Sequence, residues 1–285
     1  MLTLNGTDYR CCLLDTNAVS EMVKRPEALG HFLTWSFSVQ PFFIPCFSLF
    51  TVLELRRNAE VYRQFIERFG PIPCLLLKSH EQLLEEEIRC YPYPSAVAPY
   101  LLGFSGELGP DRNSLANALA ASFGGQSILD QERHWNDGQE EIVKGISSLV
   151  ANFPPEGDKY KRSEVRTFIE IAGFEQLVLR AGDFAKTMVM NREVVDIDAF
   201  PSLKATLYTV FHKFYADRPR RPSRSDAFDI IISAATPYVE AIFTENHQAE
   251  SLRKTKRLDD FIRDLHVYTL KDFRGSSPAS TSLSS

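Results

Sequence analysis

The sequence predicts an α/β protein: a three-layer α/β/α sandwich around a parallel sheet, interrupted by a mostly helical insertion. Three observations predict it. Short apolar runs that read as strands alternate with amphipathic runs that read as helices over residues 9–90. The same alternation returns after about residue 196. Between these two stretches the chain has helical spacing and no clear strand. The implied division is a discontinuous α/β domain (1–90 with 196–273), a helical insertion over 91–195, and a Ser-rich tail, 274–285, expected to be disordered.

Tyr9–Leu14 is apolar and too short for a helix, so it reads as a buried strand, after which Thr16 or Asn17 caps a helix starting near Ala18. Phe42–Phe47 reads as a second strand. Its Pro45 lacks an N–H, which places this strand near an edge or an irregularity. Ser48 opens one long helix through Phe69, with Leu49, Val52, Leu53, Val61 and Phe65 at helical spacing. Cys74–Leu77 is a third strand, and Ser79 with Gln82 has the spacing of a capping box for the next helix. In the insertion, residues 114–123, 138–153 and 162–188 read as helices. Beyond it come a helix over 198–215, a helix from Asp226 broken near Pro237, a strand at Ala241–Thr244, a helix from Asn246, and a last strand at Val267–Leu270.

The net charge of −5 gives no global attraction to nucleic acid, so any such binding needs a local basic patch. No apolar run has transmembrane length and no charged segment precedes an early apolar one. A soluble, cytoplasmic protein with no membrane partner is the expectation. Five cysteines, an odd number with an adjacent pair, argue for reduced core thiols rather than disulfides or zinc.

The chemistry lies in acidic residues. Asp15 ends the first strand, and Glu54 lies in the helix after the second, one turn from Phe50 and one from Asn58. Asp226 and Asp229 share one side of a helix start, and Glu245 and Asn246 follow Thr244 at a strand end. Taken singly, each has an ordinary explanation: a cap for Asp15, a solvated face for Glu54, the helix macrodipole for Asp226. Taken together, they fit one place, the C-terminal edge of a parallel sheet. Carboxylates gathered there repel one another, and a hard divalent cation relieves the repulsion. Oxygen ligands without Cys or His select Mg²⁺ or Mn²⁺. Such an ion can activate water for phosphodiester hydrolysis. The expected ligands are Asp15, Glu54, Asp226, Asp229 and Glu245.

The segments LLDTNAVSEM, FTVLELRR and DAFDIIISAATPYVEAIFTEN resemble the motifs of PIN domains, over roughly residues 8–90 and 196–272. That family consists largely of metal-dependent ribonucleases, including toxins of bacterial toxin–antitoxin pairs. The resemblance implies an endoribonuclease using Mg²⁺ or Mn²⁺. It makes Asp15 the first metal ligand, supported by the Thr16 hydroxyl, with Asn17 holding the turn. Glu54 is then the second acid, Asp226 and Asp229 the helix-start acids, and Glu245 and Asn246 share the last position after Thr244. The implied partners are an RNA substrate and an inhibitory, antitoxin-like protein, and a homodimer is compatible with it. The rival within the same fold is a scaffold that binds nucleic acid or protein without cleaving. A phosphatase with a nucleophilic Asp15 fails, because the second acid it needs two residues on is Asn17.

Arg218, Arg220, Arg221 and Arg224 precede Asp226 in the linker ADRPRRPSRSD. Arginine clusters grip phosphates through paired hydrogen bonds, so this linker is a candidate RNA contact, against the alternative of a solvated loop. Phe211, His212 and Tyr215 just upstream either stack bases or pack the interior.

Overall fold

A computed structural model of the chain describes residues 2–4, 7–38, 40–100, 140–153, 160–216 and 221–273. The helix expected over 114–123 and the tail 274–285 lie outside the described residues.

Six strands form one sheet: β1 (Leu2–Leu4), β2 (Thr7–Leu14), β3 (Phe42–Ser48), β4 (Leu75–Leu77), β5 (Ala241–Phe243) and β6 (His266–Tyr268). The order is β4-β3-β2-β5-β6, all parallel, and β1 pairs antiparallel with the start of β2. Cys11–Leu14 are fully buried, as a central parallel strand requires. From β2 the chain builds outward through β3 and β4, then crosses to the other side for β5 and β6. Neighbours β2 and β5 therefore continue in opposite directions. In open parallel sheets that reversal leaves a crevice beyond the carboxyl ends of the two strands. Asp15 follows β2 and Thr244 follows β5, so both stand at its lip.

Several expectations are corrected. The cap of α1 (Thr16–Lys24) is Asp15, not Thr16 or Asn17: its side chain accepts from the Ala18 N–H. A second helix, α2 (Pro26–Ser38), precedes β3. Pro45 does not mark an edge strand, since β3 lies between β2 and β4. It is tolerated because β4 pairs with β3 only from Cys46 onward, leaving one side of β3 open at Pro45. The single helix expected from Ser48 to Phe69 is two, α3 (Leu49–Arg56) and α4 (Ala59–Phe69). Asn58 causes the break by capping α4 through the Val61 N–H. The capping box of α5 (His80–Cys90) is present as expected.

The sheet core is apolar and aromatic: Phe32 and Phe243 meet edge to face at 5.4 Å, and Phe47 packs likewise on Phe65 and Phe69. A second buried cluster gathers Leu84 of α5, Ile146 and Leu149, Val165, Ile169 and Leu177 of α6 (Arg162–Arg180), and Phe200–Tyr215. Residues from both sides of position 195 share it, so the helical stretch is fused to α8 (Pro201–Phe211) rather than set apart. Between them runs α7 (Gly182–Met190). The chain then continues through α9 (Arg224–Ser233), β5 and α10 (Asn246–Leu258). All five cysteines are free thiols, and four are buried. Among the described residues, no helix is long and apolar enough to cross a membrane.

Candidate functional site

Asp15 is buried where β2 passes into α1. Its Oδ1 accepts the Ala18 N–H at 2.6 Å; its Oδ2 accepts the Thr244 hydroxyl and, at 3.2 Å, the Glu245 N–H. An ionised carboxylate presents about four acceptor positions, so three donors leave one open. Burial dominates over these donors, and the nearby Asp229 charge adds to it: the Asp15 pKa is pushed up to about 6. Cap and candidate ligand are therefore compatible roles for the same side chain.

Glu54 projects from α3 toward the same crevice. Burial raises its pKa, the Thr16 hydroxyl and the Arg57 charge pull it down, and Asp229 raises it again. Thr16 Oγ1 is buried and close enough to Glu54 to lower its pKa, yet it meets no partner in full hydrogen-bond geometry among the described residues. Arg57 stacks its guanidinium 4.9 Å from the ring of Phe228, the residue before Asp229. Asp15 and Glu54, from two different elements, thus both feel the charge of Asp229 on a third.

Asp226 faces a different set of partners. Its Oδ2 accepts the Ser223 N–H at 2.9 Å and the Ser223 hydroxyl at 2.6 Å, forming the capping box of α9. Its Oδ1 accepts from Lys213 Nζ at 3.3 Å, and the same ammonium lies 2.7 Å from Asp229 Oδ2. Lys213 is 3 % exposed and belongs to a π-helical turn, His212–Ala216, that follows α8. Such turns occur often at functional sites. Sequence reasoning missed Lys213; its signal was a lysine inside the otherwise apolar run LYTVFHKFY.

The last expected position divides. The Glu245 side chain is exposed and accepts from Asn17 Nδ2 at 3.3 Å, while its backbone serves Asp15. Asn246 is exposed at the start of α10. Thr244, not Thr16, is the hydroxyl that supports Asp15. Phe211 and Tyr215 are buried in the second cluster, His212 is buried against Tyr208 and Phe211, and Tyr215 donates to the Leu149 carbonyl at 3.3 Å, so of the two readings these residues take the packing one. Arg218 and Arg220 lie outside the described residues; Arg221 is exposed and Arg224 begins α9.

The donor chemistry of Asp15, Glu54, Asp229 and the Thr16 hydroxyl, all oxygen, is of the kind a hard divalent cation takes. Asp226 differs from Asp15 in that one of its three donors is the buried Lys213 ammonium, which already offsets its charge. As the side chains stand, no three acidic, His or Cys groups among the described residues converge on one coordination point. No family model, curated protein or solved structure matches the chain.

Proposed function

We propose that the chain is a Mg²⁺- or Mn²⁺-dependent ribonuclease, built as a PIN-like three-layer sandwich, that hydrolyses RNA phosphodiester bonds with activated water. The observation that carries this reading is that two acids from different elements, Asp15 and Glu54, both have pKa values raised by burial and both feel the charge of a third, Asp229. Holding charge there costs free energy: two pKa units are worth roughly 3 kcal/mol. A fold keeps such a set where a ligand compensates it, and perturbed acids in a crevice mark functional sites. RNA as the substrate rests on the resemblance to PIN domains.

Asp15, Glu54 and Asp229 would hold the ion, which supplies a lowered pKa for bound water and charge stabilisation at the leaving oxygen. Thr244 and the Glu245 N–H fix the Asp15 carboxylate so that its open acceptor position faces one direction. Lys213 fixes Asp229 in the same way from the far side. Arg57, exposed beside Glu54, stands where a phosphate could meet a guanidinium.

One observation favours a second reading. Lys213 already neutralises part of the cluster, as it would in a scaffold that binds RNA or protein without cleaving. The test is direct: purified protein incubated with mixed RNA, with Mn²⁺ or with chelator. Metal-dependent cleavage that is absent in Asp15→Asn supports the nuclease. Intact RNA with Mn²⁺ present supports the scaffold.

A further inference from the structure

A cavity of about 570 Å³ lies among α5, the helical stretch 140–152, α6, α8 and α9. Asp15, Glu54, Asp226 and Asp229 are not among its walls. Protein interiors hold few voids larger than a water molecule, whose share of liquid volume is about 30 Å³. A space this large is of the size that small molecules fill, roughly 300–1,000 Å³. Its floor is apolar and buried: Leu84, Ile146, Leu149, Leu207, Val210 and Ile230. Its rim is acidic, since Glu81, Glu85 and Glu141 line it and are exposed. Among the described walls the one fixed cation is Arg180, whose Nε donates to Gln176 at 3.2 Å and which the Glu81 charge reaches. His80 adds no positive charge: burial, then the charge of Arg180, pushes its pKa down to about 3.

The stretch 140–152 shows that room is kept here. Glu141, Ile142, Gly145, Ile146 and Leu149 recur at helical spacing and turn one face of it to the cavity. Gly145 stands in the middle of that face, and a Cβ placed there meets nothing within 4 Å. Alanine would fit and would favour the helix, so glycine gives up helix stability for space.

We infer that this cavity binds an amphipathic cation, a small molecule with an apolar body on the floor and an ammonium head among Glu81, Glu85 and Glu141. Its walls come from five elements, which suits a compact ligand; a partner helix needs an open groove along its length. An anionic head would face three carboxylates and a single guanidinium that Glu81 already reaches. The site is separate from the acidic crevice and independent of what that crevice does.

Three probes with one decyl chain and different heads test this: decylammonium, decanol and decanoate, each below its micelle threshold. They are titrated into the full-length protein by isothermal calorimetry. Decylammonium is expected to bind at one site, about tenfold tighter than decanoate, because exposed ion pairs each add little. Decanol should fall between them, and added salt should narrow the gap. Combining Glu81→Gln, Glu85→Gln and Glu141→Gln should bring decylammonium to the decanol level. Gly145→Leu, checked for a native melting transition, should lose all three probes. Decanoate bound as tightly as decylammonium overturns the inference, and so does a wild type that binds none of them; neither outcome needs a variant to fold. A folded Gly145→Leu protein that binds as the wild type does also overturns it, because the probe then sits elsewhere.

Discussion

The Thr244 hydroxyl at the end of β5 donates to Asp15 Oδ2 at the end of β2, tying together the two strands whose chains part in opposite directions. The bond fixes the first acid of the site to the strand that closes it. The Asp15 N–H donates to the Phe243 carbonyl at 3.1 Å, so main chain and side chain register the two strands together. Position is thus set by the sheet itself, which is more rigid than a loop.

Asp15→Asn is expected to abolish metal-dependent cleavage while the protein still folds. Asparagine keeps an acceptor for the Ala18 N–H but turns a donor toward the Glu245 N–H, a local cost of about 1–3 kcal/mol. The carboxylate has its own cost. The folded pKa of Asp15, near 6, lies above the ordinary value of 3.8, so its contribution is full below about pH 4 and is lost as pH rises through 6. The stability of the wild type relative to Asp15→Asn should therefore fall by roughly 3 kcal/mol between pH 4 and 8 in metal-free buffer. Urea melts at both pH values measure it, and a constant difference would contradict the raised pKa.

Mn²⁺ should raise the wild-type melting temperature, because a ligand bound only by the folded state stabilises it. Glu54→Gln and Asp229→Asn are expected to lose most of that shift. Asp226→Asn should separate from them. It weakens the cap of α9 and leaves Lys213 with one acid, so the melting temperature without metal drops while the Mn²⁺ shift persists. Equal shifts in all four proteins would place the ion elsewhere.

The different fates of these acids show what the sequence could and could not disclose. The five parallel strands were legible, because apolar runs of strand length alternating with helices are local signals; β1 and α2 were not anticipated. The placing of Asp15 and Thr244 at the ends of neighbouring strands was legible too, since topology brings the carboxyl ends of parallel strands to one edge. The role of Asp226 was not, because a helix-start acid looks the same whether it caps or ligates. Lys213 was only half legible: the apolar run around it signals burial, but the acids that pair with it come from another element, α9, and no local pattern encodes them. Asn58 was legible in principle. Asparagine before Ala-Glu-Val is a cap signal, overridden in the sequence reading by apolar spacing that continued across it.

Glu87 gives an independent pH test. It is 1 % exposed and joins α5 to α8: the Ser202 N–H donates to Oε1 at 2.6 Å and the Ser202 hydroxyl to Oε2 at 2.7 Å. The Tyr238 hydroxyl donates to Oε1 as well. Burial outweighs these donors and pushes the pKa up to about 7. Being raised, it contributes stability that is full below about pH 4.5 and lost as pH rises through 7. Glutamine can place its oxygen at Oε1 and donate its amide to the Ser202 oxygen, as the protonated acid does. Glu87→Gln should therefore match the wild type at pH 5 and exceed it by on the order of 2–3 kcal/mol at pH 8. Equal stabilities at pH 8 would mean that Glu87 ionises without cost.

The arginines before α9 bear on substrate rather than metal. Arg221 is exposed, and Arg224 opens the helix that carries Asp226 and Asp229. If Arg218, Arg220, Arg221 and Arg224 grip the RNA backbone, replacing all four with alanine should weaken binding of every RNA sequence alike, since phosphate contacts carry no base information. The dependence of log affinity on log salt should become shallower by about 0.7 for each lost contact to a single strand. The Mn²⁺ melting shift should remain, because Asp15, Glu54 and Asp229 are untouched. Loss of cleavage with the metal response intact would then be a docking defect. A salt slope equal to that of the wild type would return the linker to a solvated loop, and leave Arg57, exposed beside Glu54, as the next cation to replace.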